Sequence, residues 1–477
     1  MKIALFALNG SFSHAALGVR CLGQALEQAG FAAEVIEGNL RERTGELLGR
    51  LYAADAALYG FSCYIWNVEQ MLALAADLHA LRPHAKILFG GPECSFDTDR
   101  FTALPFIDTV ITGEGEEAIC HLATLFQNGE ALPRLLHGGK DARFLERGLP
   151  YRNGEALPAL VYYESSRGCP FSCSFCLSSA TDGVRAKSAE QTLTELLLLE
   201  AYPGDFTVKL VDRTFNFDRA RAVAIWRGLL SARYTKRYHF EIAANLLDEE
   251  CFAVLAQFPA GKVRLEIGLQ STNTQTLSAI ARHADPQAVL TACRRLMQAG
   301  NCHVHLDLIA GLPHEDMQSF AAAFDAAYPV CHVLQLGQLK FLHGTAIRRD
   351  ADRFGAVFSQ KPPYTVLKTS TLSYEELREL HEISDLMERL RDSGKFPHTL
   401  HFLHTHFPSP FALYRALNTH LRQSTGCEIQ KISQRDLFWQ ISRFARERLP
   451  EALWESLSAH LRADFSAAEV RRPPKGL

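Results

Sequence analysis

Hydrophobic and polar positions alternate along the first quarter of the chain in short apolar runs separated by amphipathic stretches. The runs are KIALFAL from Lys2, AEVIEG from Ala33, AALYGFS from Ala56, KILFGG from Lys86 and IDTVITG from Ile107. Between them apolar residues recur at helical spacing, as over Leu17 to Ala29 and Val68 to Leu81, the second ending just before Pro83. Successive βα units of this kind predict a doubly wound parallel sheet, whose ligands sit beyond the carboxyl ends of its strands.

Three of those ends carry unusual turns: GFSCYIWN from Gly60, GGPECSFD from Gly90 and GEGEEAI from Gly113. Glycine lets a backbone approach a bulky ligand, and a helix beginning near Glu116 offers free N–H groups, although ordinary βα turn chemistry has the same look. No GxGxxG follows the first strand, which disfavours a dinucleotide site.

Residues 129–158, rich in Gly, Pro and Arg, read as a linker, and a second βα series follows. Its strands are VYYESS from Val161, FTVKLVD from Phe206, YHFEIAA from Tyr238, VRLEIGLQ from Val263, HVHLDLIAG from His303 and VLQLGQLKF from Val333. Helical patterns over Ala189 to Ala201, Arg219 to Ala232, Pro286 to Ala299 and Glu315 to Tyr328 separate them. Six such units predict a parallel barrel or partial barrel with its chemistry at the carboxyl ends of the strands. Beyond Lys361-Pro362-Pro363 strand signals fade. Ser373 to Arg391, Phe411 to Arg422, Gln434 to Arg448 and Ala452 to Leu461 read as amphipathic helices, with a polar tail from Arg471. The expected division is a first domain over 1–135, a linker over 136–158, a barrel over 159–360 and a helical domain over 361–477.

The composition is that of a globular chain: 477 residues, 47% hydrophobic, 22% charged, net charge −3. The balance gives no global electrostatic case for nucleic acid. No apolar stretch reaches the roughly 18 residues of a membrane span, and the start shows no signal peptide, so a reducing cytoplasm is expected. There the twelve cysteines are expected as thiols or metal ligands rather than disulfides.

One group of them is clustered. RGCPFSCSFC places Cys169, Cys173 and Cys176 in a Cys-x3-Cys-x2-Cys array directly after the first strand of the second series. Three thiolates so spaced suit a cuboidal iron–sulfur cluster, with one of its four irons open to an outside ligand. A structural zinc completed by a distant Cys or His is the competing reading, but zinc sites tend to supply ligands in pairs, and no second Cys-x2-Cys exists in the chain.

The array, with Phe175 just before its last cysteine, resembles the cluster motif of the radical S-adenosylmethionine (SAM) superfamily, which carries it after the first barrel strand. The resemblance implies a [4Fe-4S] cluster whose open iron holds SAM and drives its reductive cleavage to a 5′-deoxyadenosyl radical. It also assigns later strand ends. Asp212, in VDRTFNFD, would meet the SAM amino group; Glu241 lies on the third strand; Glu266 and Gln270, four apart on one strand face, would serve the ribose or carboxylate. In DLIAGLPHED, Asp307 would point into the barrel, and Ile309 to Leu312 would line the adenine. The bland alternative for each is a satisfied polar group of a barrel core.

A flavodoxin-like, Rossmann-type domain directly before such a barrel resembles the cobalamin-binding class of the superfamily. More narrowly, it is similar to an uncharacterised subfamily ending in a helical domain of unknown function. The resemblance makes Ser62, Gly90, Gly91, Pro92, Gly113, Glu114, Gly115 and Glu116 cobalamin-site candidates, with Gly10 to Arg20 forming the first turn near the lower face or nucleotide tail. The Asp-x-His-x-x-Gly motif that puts imidazole on cobalt is absent. Cobalt without a protein histidine is therefore expected, His14 being a turn residue.

The implied activity is that of a cobalamin-dependent radical SAM methyltransferase acting on an unactivated carbon of a small-molecule or peptide substrate, with flavodoxin or ferredoxin as electron donor. Rearrangement, oxidation or cyclisation without methyl transfer is the alternative, and a corrinoid- or redox-responsive iron–sulfur binding protein is the alternative from another class. A methylthiotransferase would need a second cysteine cluster, and Cys21, Cys63, Cys94 and Cys120 are scattered. His398, His401, His404 and His406 could bind a metal or lie on a surface, and Tyr364, Phe402, Phe407 and Tyr414 are expected to cap the barrel and select substrate.

Overall fold

In a computed structural model, which describes residues 1–11, 13–180 and 183–468, two parallel sheets follow one another. Phe12 and the tail from Arg471 lie outside the described residues. The first sheet has the order β2-β1-β3-β4-β5-β6: β1 (Lys2–Asn9), β2 (Ala32–Asn39), β3 (Leu58–Ser62), β4 (Lys86–Gly90), β5 (Thr109–Thr112) and β6 (Leu135–His137). The last strand falls in the Gly- and Pro-rich stretch expected to be linker. Three residues are too few to show a period, and only pairing along β5 makes them a strand.

The apolar runs are apolar on both faces, as a sheet covered on both sides requires. In β1, Ile3 and Leu5 pack with Val19, Leu26 and Leu122 of the helices Leu17–Gln28 and Glu116–Gln127. Ala4, Phe6 and Leu8 pack on the opposite side with Leu47, Leu51, Met71 and Leu78 of Thr44–Ala54 and Val68–Leu81. This is the doubly wound arrangement expected.

The second sheet begins with β7 (Leu160–Tyr163). A small ribbon, β8 (Ser166–Arg167) with β9 (Arg185–Ala186), follows, and then β10 (Thr207–Leu210), β11 (Arg237–Ile242), β12 (Val263–Gln270), β13 (His303–Ala310) and β14 (Val333–Gln338). The order β7-β10-β11-β12-β13-β14, all parallel, is a (β/α)6 partial barrel whose edges, β7 and β14, stay apart. Every second residue faces outward beneath the helices: Val263, Leu265, Ile267 and Leu269 in β12, and Val304, Leu306, Leu308 and Ala310 in β13. The intervening positions face inward and are mostly polar, among them Glu266, Gln270, His305 and Asp307, so the lumen is not a hydrocarbon core.

The first domain lies against the open seam. On the β7 side the Leu160 N–H donates to Ser13 O. On the β14 side the helix Pro92–Phe96 meets the segment after the last barrel strand, where a Cβ on Gly344 would come within 2.2 Å of the Phe96 ring.

A hairpin, β15 (Val357–Phe358) with β16 (Val366–Lys368), leads to helices Tyr374–Met387, Pro397–His404, Pro410–Thr425, Gln434–Arg448 and Trp454–Ala467. The first of these packs on β14, and Pro410–Thr425 packs on the outer barrel helix Met317–Ala327. Phe411 and Tyr414 lie against Phe324, and Phe402 is in the bundle core. The helical domain thus covers the outside of the barrel. This corrects the expectation that its aromatics cap the lumen: Tyr414 faces an outer helix of the barrel, Phe402 and Phe407 pack within the bundle against His460 and Phe444, and the Tyr364 hydroxyl donates to Glu93 of the first domain.

Candidate functional site

The cysteine loop leaves the carboxyl end of β7 and lines a cavity of about 180 Å³ at the mouth of the barrel. Cys169, Cys173, Phe175 and Cys176 form one wall; Glu241, Glu266, Gln270 and Asp307 form the other. The loop is held at two points, the Ser174 N–H donating to Ile280 O and the Ile347 N–H to Ser174 O. Among the described residues no three Cys, His, Asp or Glu side chains close on a point as one metal ion requires. The cysteines instead face a shared space, the donor set and opening that a cuboidal cluster needs. Arg282 Nη1 lies 3.7 Å from Cys173 Sγ, and Arg282 Nη2 donates to Gly268 O. Burial pushes the Cys173 thiol up, with the Arg282 charge opposing it.

The opposite wall is an electrostatic network. Lys209 Nζ lies 2.8 Å from Glu266 and 3.3 Å from Glu241, and His239 Nε2 is 2.9 Å from Glu266. Burial favours the neutral acid, yet His239 and Lys209 hold Glu266 down at about 2. Asp307 makes no contact as close, its ion-pair partner being His305 Nε2 at 3.6 Å, and burial followed by the charges of Glu266 and Glu241 pushes it up to about 8. Asp307 Oδ1 and Gln270 Oε1 are buried without a hydrogen-bond partner. Orphaned acceptors in a cavity wall are what a polar ligand would satisfy. Gln270 also has φ of +70° at a register shift between β12 and β13, and a Cβ on Gly268 would lie 2.2 Å from Gln270 Nε2, so that glycine makes the side chain's room.

Asp212 is elsewhere. It is fully buried, accepts from the Ser165 N–H and the Ser165 hydroxyl, and accepts from the Ser166 N–H at 2.9 Å. It joins the ends of β7 and β10, and its neighbours Arg213 and Thr214 line the cavity instead. This corrects the place beside the SAM amino group that the resemblance implied: Asp212 has the parity of the outward Val208 and Leu210 rather than of the inward Lys209, and its hydrogen bonds to Ser165 and Ser166 tie it there. Ile309 continues the inward row above Asp307 and Leu312 is fully buried; neither lines the cavity.

The glycine turns of the first domain enclose a second cavity, about 220 Å³, between the ends of β3, β4 and β5 and the helices Leu17–Gln28 and Glu116–Gln127. Ser62, Gly90, Gly91, Pro92, Gly113, Gly115 and Glu116 line it, with Gly18 and Gly60. Two glycines are obligatory. Gly91 has φ of +109° and a Cβ there would lie 2.5 Å from Cys63 O; Gly113 has φ of +75° and a Cβ there would lie 2.5 Å from Gly138 O. Such a slot, floored by glycine backbone and flanked by Leu5, Val19, Leu22 and Ile119, gives a flat apolar group room to approach the main chain. Glu114 does not line it; it faces Arg167, 2.7 Å away, and Arg185. His14 does not line it either. Its ring packs on Tyr162 at 5.8 Å, and burial, with the charge of Lys209 adding, lowers its pKa.

Lys209, Arg213, Thr214 and Arg282 are site residues the sequence reading missed. Lys209 was visible as the inward position of FTVKLVD, whereas Arg282 comes from a loop with no period. The four C-terminal histidines do not converge: His404 Nε2 bonds Tyr328 Oη at 2.9 Å, His406 packs on Phe402, and the His398 N–H donates to Asp464.

Comparison with known proteins agrees with this layout. Residues 5–123 match the B12 binding domain, 163–327 the radical SAM superfamily, and 352–475 a protein of unknown function (DUF4080). The cobalamin-dependent radical SAM methyltransferase TokK of Streptomyces tokunonensis is 27% identical over 308 residues, 54% of this chain and 43% of that protein. The 2-(S-pantetheinyl)-carbapenam-3-carboxylate methyltransferase of Streptantibioticus cattleyicolor is 26% identical over 311 residues, 56% of this chain and 44% of that one. These matches therefore span under half the length of the curated relatives. In fold, the chain is similar to the radical SAM methyltransferase TsrM from Kitasatospora setae, a structure with cobalamin and a [4Fe-4S] cluster bound. The TM-score is 0.63 at 16% identity over 98% of this chain and 100% of that one. One chain thus carries a B12-binding domain, a radical SAM barrel and a C-terminal domain of unknown function.

Proposed function

We propose that the chain is a cobalamin-dependent radical SAM methyltransferase that delivers a methyl group to an unactivated carbon of a small-molecule or peptide substrate. The observation that carries the reading is the presence of both cavities in one chain, with Arg167, two residues before Cys169, ion-paired to Glu114 and Glu116 of the GEGE turn. A cluster with SAM would supply a carbon-centred oxidant, and cobalamin a methyl carrier. The protein's part is positional. Cys169, Cys173 and Cys176 would hold the cluster with one iron free. Glu241, Glu266, Gln270 and Asp307 offer acceptors to the polar groups of SAM, and the slot between Ser62, Gly91 and Gly115 would hold the corrinoid tail, leaving cobalt without a protein imidazole. Reduced flavodoxin or ferredoxin fits as the electron source. The names of TokK and of the carbapenam methyltransferase support methyl transfer.

Reconstituted enzyme incubated with methyl-labelled SAM under reducing conditions should place label on bound cobalamin. Cobalamin that stays unlabelled would overturn methyl transfer. Deoxyadenosine released without S-adenosylhomocysteine would point to rearrangement, oxidation or cyclisation instead. Absence of any SAM cleavage would favour a redox-responsive binding protein.

A further inference from the structure

Arg167 stands two residues before Cys169, yet its strongest partners belong to the first domain. Its Nη1 lies 2.7 Å from Glu114 Oε2 and its Nη2 lies 2.5 Å from Glu116 Oε1, both in the GEGE turn. Its Nε donates to Glu164 at 2.9 Å, and the guanidinium lies 4.4 Å from the centre of the Phe144 ring. Arg185, paired with Arg167 across the ribbon of β8 and β9, holds the other oxygen of Glu114. Arg167 and Glu116 are 15% and 6% exposed in their side chains, so this pair is screened little by solvent. A planar guanidinium with each of its edges committed fixes direction as well as distance.

Glycines flank this node on both sides. Gly168, at φ of +96°, separates Arg167 from Cys169, and Gly113, at φ of +75°, precedes Glu114. The cysteine loop and the GEGE turn, each bent at a glycine of positive φ, are therefore clasped by one set of ion pairs. Glu116 belongs to both, because it lines the corrinoid slot and binds Arg167.

We propose that Arg167 is a positioning residue that couples the two cofactor sites. Ordering of the cysteine loop by cluster assembly orders the GEGE turn, and occupation of the slot orders the loop in return. Whichever cofactor binds first meets the cost of ordering, and the second meets a prearranged site. Linkage makes the effect reciprocal. The inference rests on the reading of the two sites given above.

The test is titration of hydroxocobalamin into the full chain, with and without prior reconstitution by iron and sulfide, followed by visible absorbance. Wild type should bind hydroxocobalamin about tenfold more tightly with the cluster in place, within the ordinary range of coupling between sites. Arg167→Gln should bring the two affinities together, and Arg167→Lys, which keeps the charge and loses the fork, should retain part of the difference. Glu116→Gln, at the other end of the pair, should act like Arg167→Gln while leaving the arginine in place. Equal wild-type affinities with and without cluster overturn the proposal even if neither variant folds, and so does a tenfold difference that survives in both. A wild type that takes up no cluster or no cobalamin would defeat the assignment of the sites, whereas independent binding of both would defeat the coupling alone.

Discussion

At the scale of single residues, the structure separates side chains by whether a partner awaits them. Glu266 and Asp307 face the same lumen from neighbouring strands, yet one is held at about 2 and the other pushed up to about 8, because Lys209 and His239 reach only the first. Glu315, in the turn after β13, is fully buried beside the Ser271 hydroxyl. Burial raises its carboxyl to about 8, with the Asp316 charge adding and the Ser271 bond opposing. A folded-state value above the unfolded one, about 4.3, means that stability is complete below the unfolded value and is lost as pH rises through about 8. Glu315→Gln should therefore show a shallower fall of its urea midpoint than wild type across that window, Asp307 keeping its own share; equal slopes would show that Glu315 does not titrate there. Single replacement of Cys169, Cys173 or Cys176 by alanine should drop reconstituted iron from about four per chain toward zero, measured by iron and sulfide assay. Of the assigned residues, those at the inward positions of a strand were legible, because period two alone orients them. Asp212 and Arg282 were not, since the direction of a side chain past a strand end depends on where the loop is tied.

At the scale of elements, the glycine turns carry the first domain's function by shape. Gly115 has an ordinary φ of −92°, and a Cβ there meets only the flexible end of Leu22, at 3.0 Å. Gly115→Leu should thus fold with little change in thermal midpoint while lowering cobalamin affinity by at least about tenfold, since about 1.4 kcal/mol of lost fit suffices. Gly91→Ala is different in kind. Its Cβ would strike backbone in a left-handed conformation, so a loss of stability of about 1–3 kcal/mol is expected before any ligand is considered; thermal and urea unfolding distinguish the two. The helices Val68–Leu81, Pro286–Ala299 and Gln434–Arg448 agree with their apolar period to the residue, because caps and flanking prolines are local signals. Strand β6 and the helix Pro397–His404 were missed. Both are short, and each is fixed by what it packs on rather than by its own pattern.

At the scale of the whole molecule, two side-chain nodes stand out among the contacts that tie the first domain across the barrel seam. One is the Arg167 node beside β7. The other, beside β14, is the hydrogen bond from the Tyr364 hydroxyl to the buried Glu93 carboxylate, one residue beyond the GGP turn. Tyr364→Phe leaves that carboxylate with Arg100, 3.7 Å away, as its remaining cation, and should cost about 1–3 kcal/mol in unfolding free energy. Ending the chain at Ser370 would uncover Phe320, Phe324 and Leu336 on the outer face of the barrel. Such a chain should elute as aggregate in gel filtration rather than as a smaller monomer. Among the described residues no helix is long and apolar enough to cross a membrane.

The sequence by itself determined most of the elements and their order, because helix and strand periods, caps and breakers are written over a few residues. It also determined the chemistry of the cysteine loop, since three thiols within eight residues have to share one space whatever surrounds them. Only the tertiary structure decided that Glu114 faces an arginine instead of the corrinoid slot, that Asp212 braces strands instead of lining the cavity, and that the C-terminal domain covers the barrel's outside. Each of these depends on which distant group burial brings alongside, and the chain's local pattern holds no record of that.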